Sequence, residues 1–225
     1  MRSNVINPVV VVQKAMQQVY LWMTAGLMVT GAVATTLYNS GFVATLGPLM
    51  IVLLIAQIGV VFYLSARINQ MAPTTATLLF LVYSVMTGIT LTPIFYAYSL
   101  GSIGTTFFVT AGTFATMALY GATTKRDLTG MGSMLMMALI GLMIATIVNI
   151  FLGNSLMSLV ISALGVLIFT GLTAYDVQAL TRMANNVSSE DDTQRFAIIG
   201  ALKLYLDFIN LFLYMLRFLG SGRRD

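Results

Sequence analysis

The stretch FAIIGALKLYLDFINLFLYMLRFL (196–219) decides the fold, because it is long enough to cross a bilayer and yet carries polar side chains. A membrane-spanning helix needs about 20 mainly apolar residues. The polar residues follow one another at intervals of three or four, which places them on one helical stripe. They are Lys203, Asp207, Asn210 and Tyr214, with Gly200 and Arg217 at the ends of the stripe. A charge in mid-membrane costs about 2.5–3.5 kcal/mol, so we predict that this helix turns its stripe inward and lies at the centre of a bundle.

The composition of the 225-residue chain argues against a soluble globular protein. Hydrophobic residues make up 58% of the chain and charged residues only 8%, whereas soluble domains carry about 25% charged residues. The apolar runs are also much longer than the alternating segments of a transmembrane β-barrel. We therefore predict an all-α polytopic membrane protein.

The charged residues leave three long uncharged intervals, and these give the number of helices. The intervals are 15–66, 68–124 and 128–175, with 52, 57 and 48 residues. Each has room for two spans of about 20 residues and a tight turn. Together with the final helix this makes seven spans, placed near 18–38, 46–66, 75–97, 104–122, 131–152, 157–180 and 197–218.

Helix-breaking residues mark the turn inside each predicted hairpin. They are Asn39, Ser40 and Gly41 with Pro48 after them, then Ser99, Gly101 and Ser102, and finally Gly153, Asn154 and Ser155. Pro93 lacks a backbone N–H and should kink or end the third span. We expect one membrane domain over 18–219, a cytoplasmic arm over 1–17 and a basic tail over 220–225.

The distribution of basic residues predicts the orientation in the membrane. The loops on one side carry Arg2, Lys14, Arg67, Lys125, Arg126, Arg182 and Arg195. The three hairpin turns on the other side have no Lys or Arg, so the positive-inside rule places the N-terminus in the cytoplasm. Seven full spans would then export a tail that contains Arg223 and Arg224. Either this tail is translocated against the rule or the last helix is re-entrant, and the sequence leaves both open.

Two carboxylates inside predicted spans are the candidate functional groups. Asp176 precedes Arg182 by about 9 Å of helix, and Asp207 follows Arg195 by about 18 Å. The last two spans join on the cytoplasmic side, so both carboxylates can meet in the inner half of the membrane. Two carboxylates in a low-dielectric site cannot both ionise cheaply, and they tend to share a proton. Such a pair can titrate near neutral pH in a chain without histidine.

Each of the charged residues also has a second interpretation. The two aspartates can be hydrogen-bonded packing residues, although acids inside a membrane are functional by default. Lys203 either pairs with Asp207, four residues away, or extends to the cytoplasmic interface, which we favour. Arg67 is either a topological anchor or a latch on a carboxylate. The acidic residues of 188–192 indicate a solvated loop with a helix cap, rather than a calcium-attracting patch.

Several kinds of chemistry lack the residues that they require. The chain has no cysteine and no histidine, so it has neither disulfides nor the commonest metal ligands and general base. It also lacks a phosphate-binding glycine loop and a nucleophile elbow. Its basic residues are scattered between apolar runs, which does not favour nucleic-acid binding. We predict no enzymatic activity, no cofactor and no metal site.

Five stretches follow one another along nearly the whole chain in a recognisable order. They are VYLWMTAGLMVTG (19–31), YSVMTGITLTPIF (83–95), FVTAGTFATMALYGATTKRDLTGMG (108–132), TAYDVQ (173–178) and ALKLYLDFINLFL (201–213). Together they resemble the transmembrane Bax inhibitor motif (Bax inhibitor-1-like) family, above all its proteobacterial inner-membrane members.

This resemblance implies a seven-helix fold whose last helix is surrounded by two three-helix layers. It also implies a pH-sensitive calcium leak that is governed by the pair Asp176 and Asp207. Arg67 matches the family's latch on the second helix, and Lys203, Asn210 and Tyr214 would follow the pore stripe. The implied partners are the lipid bilayer and calcium or other cations as permeant ions.

Other functions remain open at this point. The protein can be a membrane-embedded regulator of other membrane proteins, such as a protease, without transport of its own. It can be a proton/calcium exchanger, which would move calcium uphill when a proton gradient is applied. A retinal protein fits poorly, because the third span (75–97) has no acid to serve as a counter-ion. Calcium flux in liposomes that contain only this protein separates the leak from the regulator.

The predicted topology can be tested by cysteine labelling, because the natural chain contains no cysteine. Single cysteines in place of Asn39, Ser102 and Asn154 should react with a membrane-impermeant maleimide from the outside of intact cells. A cysteine in place of Lys125 should react only after the cells are opened. Labelling of the three turn positions from the cytoplasmic side alone would contradict the topology.

Overall fold

The computed structural model describes residues 8–41, 45–187 and 189–221, and these residues are almost entirely helical. The helices are α1 (Pro8–Ser40), α2 (Leu49–Arg67), α3 (Pro73–Leu91), α4 (Ile94–Ala97), α5 (Leu100–Thr123), α6 (Thr129–Leu152), α7 (Ser155–Ala184) and α8 (Glu190–Leu219). A short 3₁₀ segment, Ile68–Gln70, follows α2. Residues 1–7 of the predicted arm, which include Arg2, and 222–225 of the predicted tail, with Arg223 and Arg224, lie outside the described residues, as does Ser188.

The predicted all-α membrane fold with seven spans is confirmed. Within the described residues, seven helical stretches are long and apolar enough to cross a membrane, and α3 and α4 together form the third of them (Pro73–Ala97). α1 starts at Pro8 and continues without a break into the first candidate span, Val12–Ser40. Residues 8–17 are therefore helical, and the division into arm, membrane domain and tail stays a prediction.

Pro93 and Gly153 act at the predicted places, whereas Asn39 and Ser40 still belong to α1 and Ser155 is the first residue of α7. α3 ends at Leu91, just before Pro93, and the chain resumes as the short helix α4. Gly153 ends α6 with a positive φ of 62°, a left-handed conformation that favours glycine. The Asn154 side chain then accepts a hydrogen bond from the backbone of Met157 and caps α7.

The second turn is shorter than predicted. Ser99 is the residue before α5, and its hydroxyl accepts a hydrogen bond from the backbone N–H of Ser102. Gly101 and Ser102 consequently lie in the first turn of α5, because this cap allows the helix to begin at Leu100.

The last helix is the most buried of the seven spans, as the polar stripe predicted. In its most apolar window 61% of the residues are buried, against 6% to 39% in the other six. Ser189 caps its first turn by accepting a hydrogen bond from the backbone N–H of Asp192. The burial predicted for the last helix is thereby confirmed.

The described helices form two compact units, and α7 and α8 contribute to both. The first unit comprises Met1–Ala97 and Thr181–Tyr205, and the second comprises Tyr98–Leu180 and Leu206–Asp225. We describe each unit by itself.

The first unit contains a buried cluster of hydroxyl groups. The Tyr205 hydroxyl lies 2.6 Å from the Thr30 hydroxyl, which donates to the backbone oxygen of Ser84 at 2.9 Å. The Tyr205 ring is fully buried and makes edge-to-face contacts with Phe80 and Tyr83, with centroids 5.8 and 5.9 Å away. Hydroxyls that satisfy one another can be buried where lone polar groups cannot, so this cluster fixes how α1, α3 and α8 pack.

The end of α8 lies beside the beginning of α5 in the second unit. The backbone N–H of Ser221 donates to the Ser102 hydroxyl at 3.0 Å, and Gly220 lies against the Tyr98 ring. The beginning of α5 belongs to an uncharged hairpin turn, whereas its other end leads to Lys125 and Arg126. The end of α8 therefore lies beside the uncharged turn before α5, at the opposite end of α5 from Lys125 and Arg126.

We predict that Gly88→Ala destabilises the protein, because α1 and α3 approach closely at this glycine. An added Cβ would lie 2.7 Å from both the backbone oxygen of Thr30 and the Cβ of Val33. Overpacking of this kind costs about 1–3 kcal/mol, and the melting temperature in detergent should fall. Gly59→Ala on α2 is the matched control, since nothing lies within 4 Å of the position. Equal melting temperatures for the two variants would show that the contact is unimportant.

Candidate functional site

The two candidate carboxylates are buried in the second unit. Asp176 on α7 is 4% exposed and Asp207 on α8 is 6% exposed. The Oδ2 atom of Asp207 is completely shielded from solvent. Aspartate is almost never fully buried in proteins unless it interacts with partners, so two such residues on neighbouring membrane helices are unusual.

Asp176 is positioned by two close contacts immediately before it in α7. The backbone of Ala174 packs directly on Gly121 of α5, and the Tyr175 ring covers Gly132 of α6. A Cβ at either glycine would overlap its neighbour, and at Gly132 it would lie only 2.5 Å from the nearest atoms of the Tyr175 ring. Small residues at such contacts let membrane helices approach closely, and here they hold α7 against α5 and α6.

Gln178 connects the loop between α5 and α6 to α7, two residues after Asp176. Its side-chain oxygen accepts a hydrogen bond from the backbone N–H of Leu128 at 2.9 Å. Its amide nitrogen donates to the backbone oxygen of Arg126 at 2.8 Å. The side chain is 6% exposed, so both of its polar ends are satisfied inside the protein, and the loop is held at the end of α7 that carries the carboxylate.

Asp207 lies next to an aromatic cluster. Phe208, the following residue, makes edge-to-face contacts with Phe107 and Phe114 of α5, each with a centroid distance of 5.6 Å. Such pairs contribute about 0.5–1.5 kcal/mol beyond their burial. They fix the rotation of α8 against α5 and so the direction in which Asp207 points.

The other members of the polar stripe are less buried than Asp207. Gly200 is buried, Lys203, Asn210 and Tyr214 are half-buried, and Arg217 is exposed. The amide of Asn210 donates to the backbone oxygen of Leu206 on its own helix. The Tyr214 ring stacks on Phe169 of α7. The Arg217 guanidinium lies 5.9 Å from the centre of the Tyr214 ring. That Lys203, Asn210 and Tyr214 line a pore stays a prediction, as do both roles considered for Lys203.

Arg67, the proposed latch, lies at the C-terminal end of α2 in the first unit. Its side chain is exposed, and its Nη1 atom donates to the side-chain oxygen of Gln70 at 2.6 Å. Gln70 is neutral, so this bond leaves the charge of the guanidinium uncompensated. The latch role stays a prediction.

The acidic residues at the start of α8 are on the surface, in agreement with a solvated loop. Glu190 and Asp191 are exposed, and Asp192 lies 3.4 Å from Arg195 in a partly exposed ion pair. Across residues 8–41, 45–187 and 189–221, no three acidic side chains are grouped so that they could hold a metal ion.

The fold and this site define a class of protein: a seven-span helical membrane protein with one carboxylate buried on each of its last two helices. The sequence comparison identifies the family. The model of the family described as "Inhibitor of apoptosis-promoting Bax1" matches residues 12–224, and the chain belongs to this family. The resemblance that the five sequence stretches indicated is confirmed.

Curated relatives match almost the whole chain. Inner membrane protein YbhL from Escherichia coli strain K12 is 46% identical over 227 residues, which cover 98% of this chain and 97% of the relative. An uncharacterized protein from Borreliella burgdorferi strain B31 is 46% identical and covers 96% of each chain. Uncharacterized protein RP147 from Rickettsia prowazekii strain Madrid E is 40% identical, covering 95% of this chain and 91% of the relative.

Sequence reasoning missed Gln178 and the hydroxyl cluster around Tyr205. Gln178 could have been identified by the feature that identified Asp176, because both are polar residues near the end of a long apolar helix. For Tyr205 and Thr30 no local signal exists, because tyrosine and threonine are common in membrane helices and their partners lie far away in sequence.

We predict that Gln178→Leu loosens the loop between α5 and α6. The change leaves the buried backbone N–H of Leu128 without this partner, at a cost of about 1–3 kcal/mol, and it also removes the bond to the backbone oxygen of the exposed Arg126. Trypsin should then cut after Lys125 or Arg126 faster than in the wild type, in vesicles that expose this loop. Gln13→Leu on the exposed face of α1 is the control. Unchanged cleavage would show that Gln178 does not hold the loop.

Proposed function

We propose that the protein is a pH-sensitive leak channel for calcium or other cations, and that Asp176 and Asp207 form its proton-sensing pair. The observation that carries the proposal is the burial of both carboxylates in the membrane-spanning part of one unit. Acids inside the membrane mark ion or proton pathways more often than packing sites. The resemblance to the Bax inhibitor-1-like family supports the same function.

The two carboxylates suit this role because their charge depends on pH while their position does not. Ionised, they attract cations and repel each other in a medium of low dielectric constant. With one proton bound, the repulsion disappears and so does much of the cation attraction. The contacts of Ala174, Tyr175 and Phe208 hold the adjacent backbone in both conditions.

Arg67 is the proposed latch that converts protonation into opening. An ionised carboxylate accepts a strong, charge-assisted hydrogen bond from a guanidinium, and arginine does not lose its charge at physiological pH. The proton must therefore act on the acid, and acidification weakens the latch. A tenfold difference in proton affinity between the open and closed states changes their ratio tenfold, or by about 1.4 kcal/mol.

We also propose that the protein lies in the bacterial inner membrane with its N-terminus in the cytoplasm. The name of the E. coli relative supports the location. The distribution of basic residues supports the orientation.

The proposed function predicts how calcium flux depends on pH in proteoliposomes that contain only this protein. Wild-type flux should rise on acidification from pH 8 to pH 6. Asp207→Asn and Asp176→Asn should flatten this response, because an amide cannot bind the proton. Asp192→Asn, at the solvated start of α8, should keep the wild-type profile since its charge is screened.

The same series tests the latch. Arg67→Ala should raise the flux at high pH and reduce its pH response, whereas Lys125→Ala, which removes an exposed cation from another loop, should not. A full wild-type response in Arg67→Ala would show that Arg67 is a topological anchor and not a latch.

The flux of the wild type also separates the three candidate functions. A complete absence of flux would contradict the channel and favour a regulator of other membrane proteins. Uphill calcium movement under a proton gradient would indicate an exchanger.

A further inference from the structure

A cleft of about 430 Å³ opens on the surface of the first unit between α1, α3 and α8. Its polar walls are Gln18 and Trp22 of α1, Thr77 of α3 and Gln194 of α8. Ile198, which is completely buried, forms its apolar floor. The cleft therefore combines several hydrogen-bonding groups with an apolar base, and neither buried carboxylate is among its lining residues.

The cleft lies beside the first turns of α3 and α8, on the predicted cytoplasmic side, and against a part of α1 well after its start at Pro8. Gln18 is one turn beyond Lys14, Thr77 is one turn beyond the start of α3, and Gln194 is one turn beyond the start of α8. The Nε atom of Arg195 donates to the backbone oxygen of Met71 at 2.9 Å and ties the beginning of α8 to the segment before α3. Tryptophan is typical of the membrane–water interface, and Trp22 is the only tryptophan in the chain.

The order of side-chain types along one face of α1 matches the order of chemical groups along a phospholipid. Lys14, Gln18, Trp22 and Ala25 succeed one another at intervals of four, four and three residues, which places them on one face of the helix. The series runs from a cation through an amide and an indole N–H to an apolar side chain. A phospholipid runs in the same order from a phosphate through ester oxygens to acyl chains.

Lys14 is not among the residues that line the cleft, but it lies one turn before Gln18 on the same helix and would supply the charge for such a ligand. Its side chain is exposed, whereas Arg195 is already bonded to Met71 and paired with Asp192. The two carboxamides and the indole offer N–H donors for oxygen atoms. The Thr77 hydroxyl donates to the backbone oxygen of Pro73 at 3.0 Å, so it contributes only an acceptor.

We propose that this cleft binds the headgroup and glycerol region of an anionic phospholipid from the cytoplasmic leaflet. The phosphate lies at the Lys14 end, the carboxamides of Gln18 and Gln194 donate to the phosphate and ester oxygens, and the acyl chains leave over the exposed side chain of Leu21 into the bilayer. The bound lipid joins α1 to the beginnings of α3 and α8.

The single tryptophan permits a direct test with the unmodified protein. The chain is reconstituted in phosphatidylcholine bilayers with a fixed fraction of lipid brominated on its acyl chains, because bromine quenches tryptophan at short range. At the same mole fraction, brominated phosphatidylglycerol should quench Trp22 at least about twofold more strongly than brominated phosphatidylcholine, because an anionic lipid held by Lys14 and the two carboxamides brings its bromine atoms close to Trp22. Equal quenching by the two lipids would overturn the proposal.

Variants distinguish a built site from general attraction by the basic loops. Lys14→Ala and the double variant Gln18→Leu with Gln194→Leu should abolish the preference for phosphatidylglycerol, while Lys125→Ala should preserve it. A preference that survives both cleft variants would contradict the site, provided that their calcium-flux profiles and melting temperatures show folded protein. Relief of quenching by inorganic phosphate would show a free anion in place of a lipid. Quenching that falls as the protein-to-lipid ratio rises would show that a second copy covers the cleft.

Discussion

A carboxylate inside a bilayer must be kept away from lipid, and the rest of this structure follows from that requirement. Hydrocarbon offers no partner to a charge, so the helix that carries Asp207 cannot lie at the lipid surface. Its remaining faces are apolar enough to span the membrane, yet it is the most buried of the seven spans. Asp176 imposes the same requirement on α7. The positions of the last two helices are therefore set by their least membrane-like residues.

Close approach of the helices is what makes this burial possible. At Gly121 and Gly132 in one unit and Gly88 in the other, a neighbouring residue occupies the space that a side chain would fill. Several threonine hydroxyls are satisfied within their own helix, as when Thr110 donates to the backbone oxygen of Thr106. Because lipid chains are as apolar as leucine, packing of this kind replaces the hydrophobic effect as the source of helix association.

The sequence predicts the number and positions of the helices, but few of the side-chain contacts between them. Charges, apolar length and breakers such as Pro93 and Gly153 are local properties, and they were enough to place seven spans and to predict the burial of Asp207. The bond between Gln178 and Leu128 joins residues that are 50 positions apart, and the Tyr205–Thr30 contact joins residues that are 175 positions apart. The local spacing of residues cannot predict contacts between positions that are so far apart in sequence. The direction of the last helix also needed one distant contact, between Ser221 and Ser102.

The burial of the last helix has a consequence for the biogenesis of the protein. The ribosome completes α8 after all the other helices, so six spans leave the translocon before the helix that is buried most deeply exists. Until then, Thr30 lacks the tyrosine hydroxyl that later lies 2.6 Å away, and Phe107 and Phe114 lack Phe208. A ribosome that stalls or a chain that is cut shortly before residue 205 would leave a membrane-inserted product with these groups unpartnered. Such a fragment would be a substrate for membrane quality control.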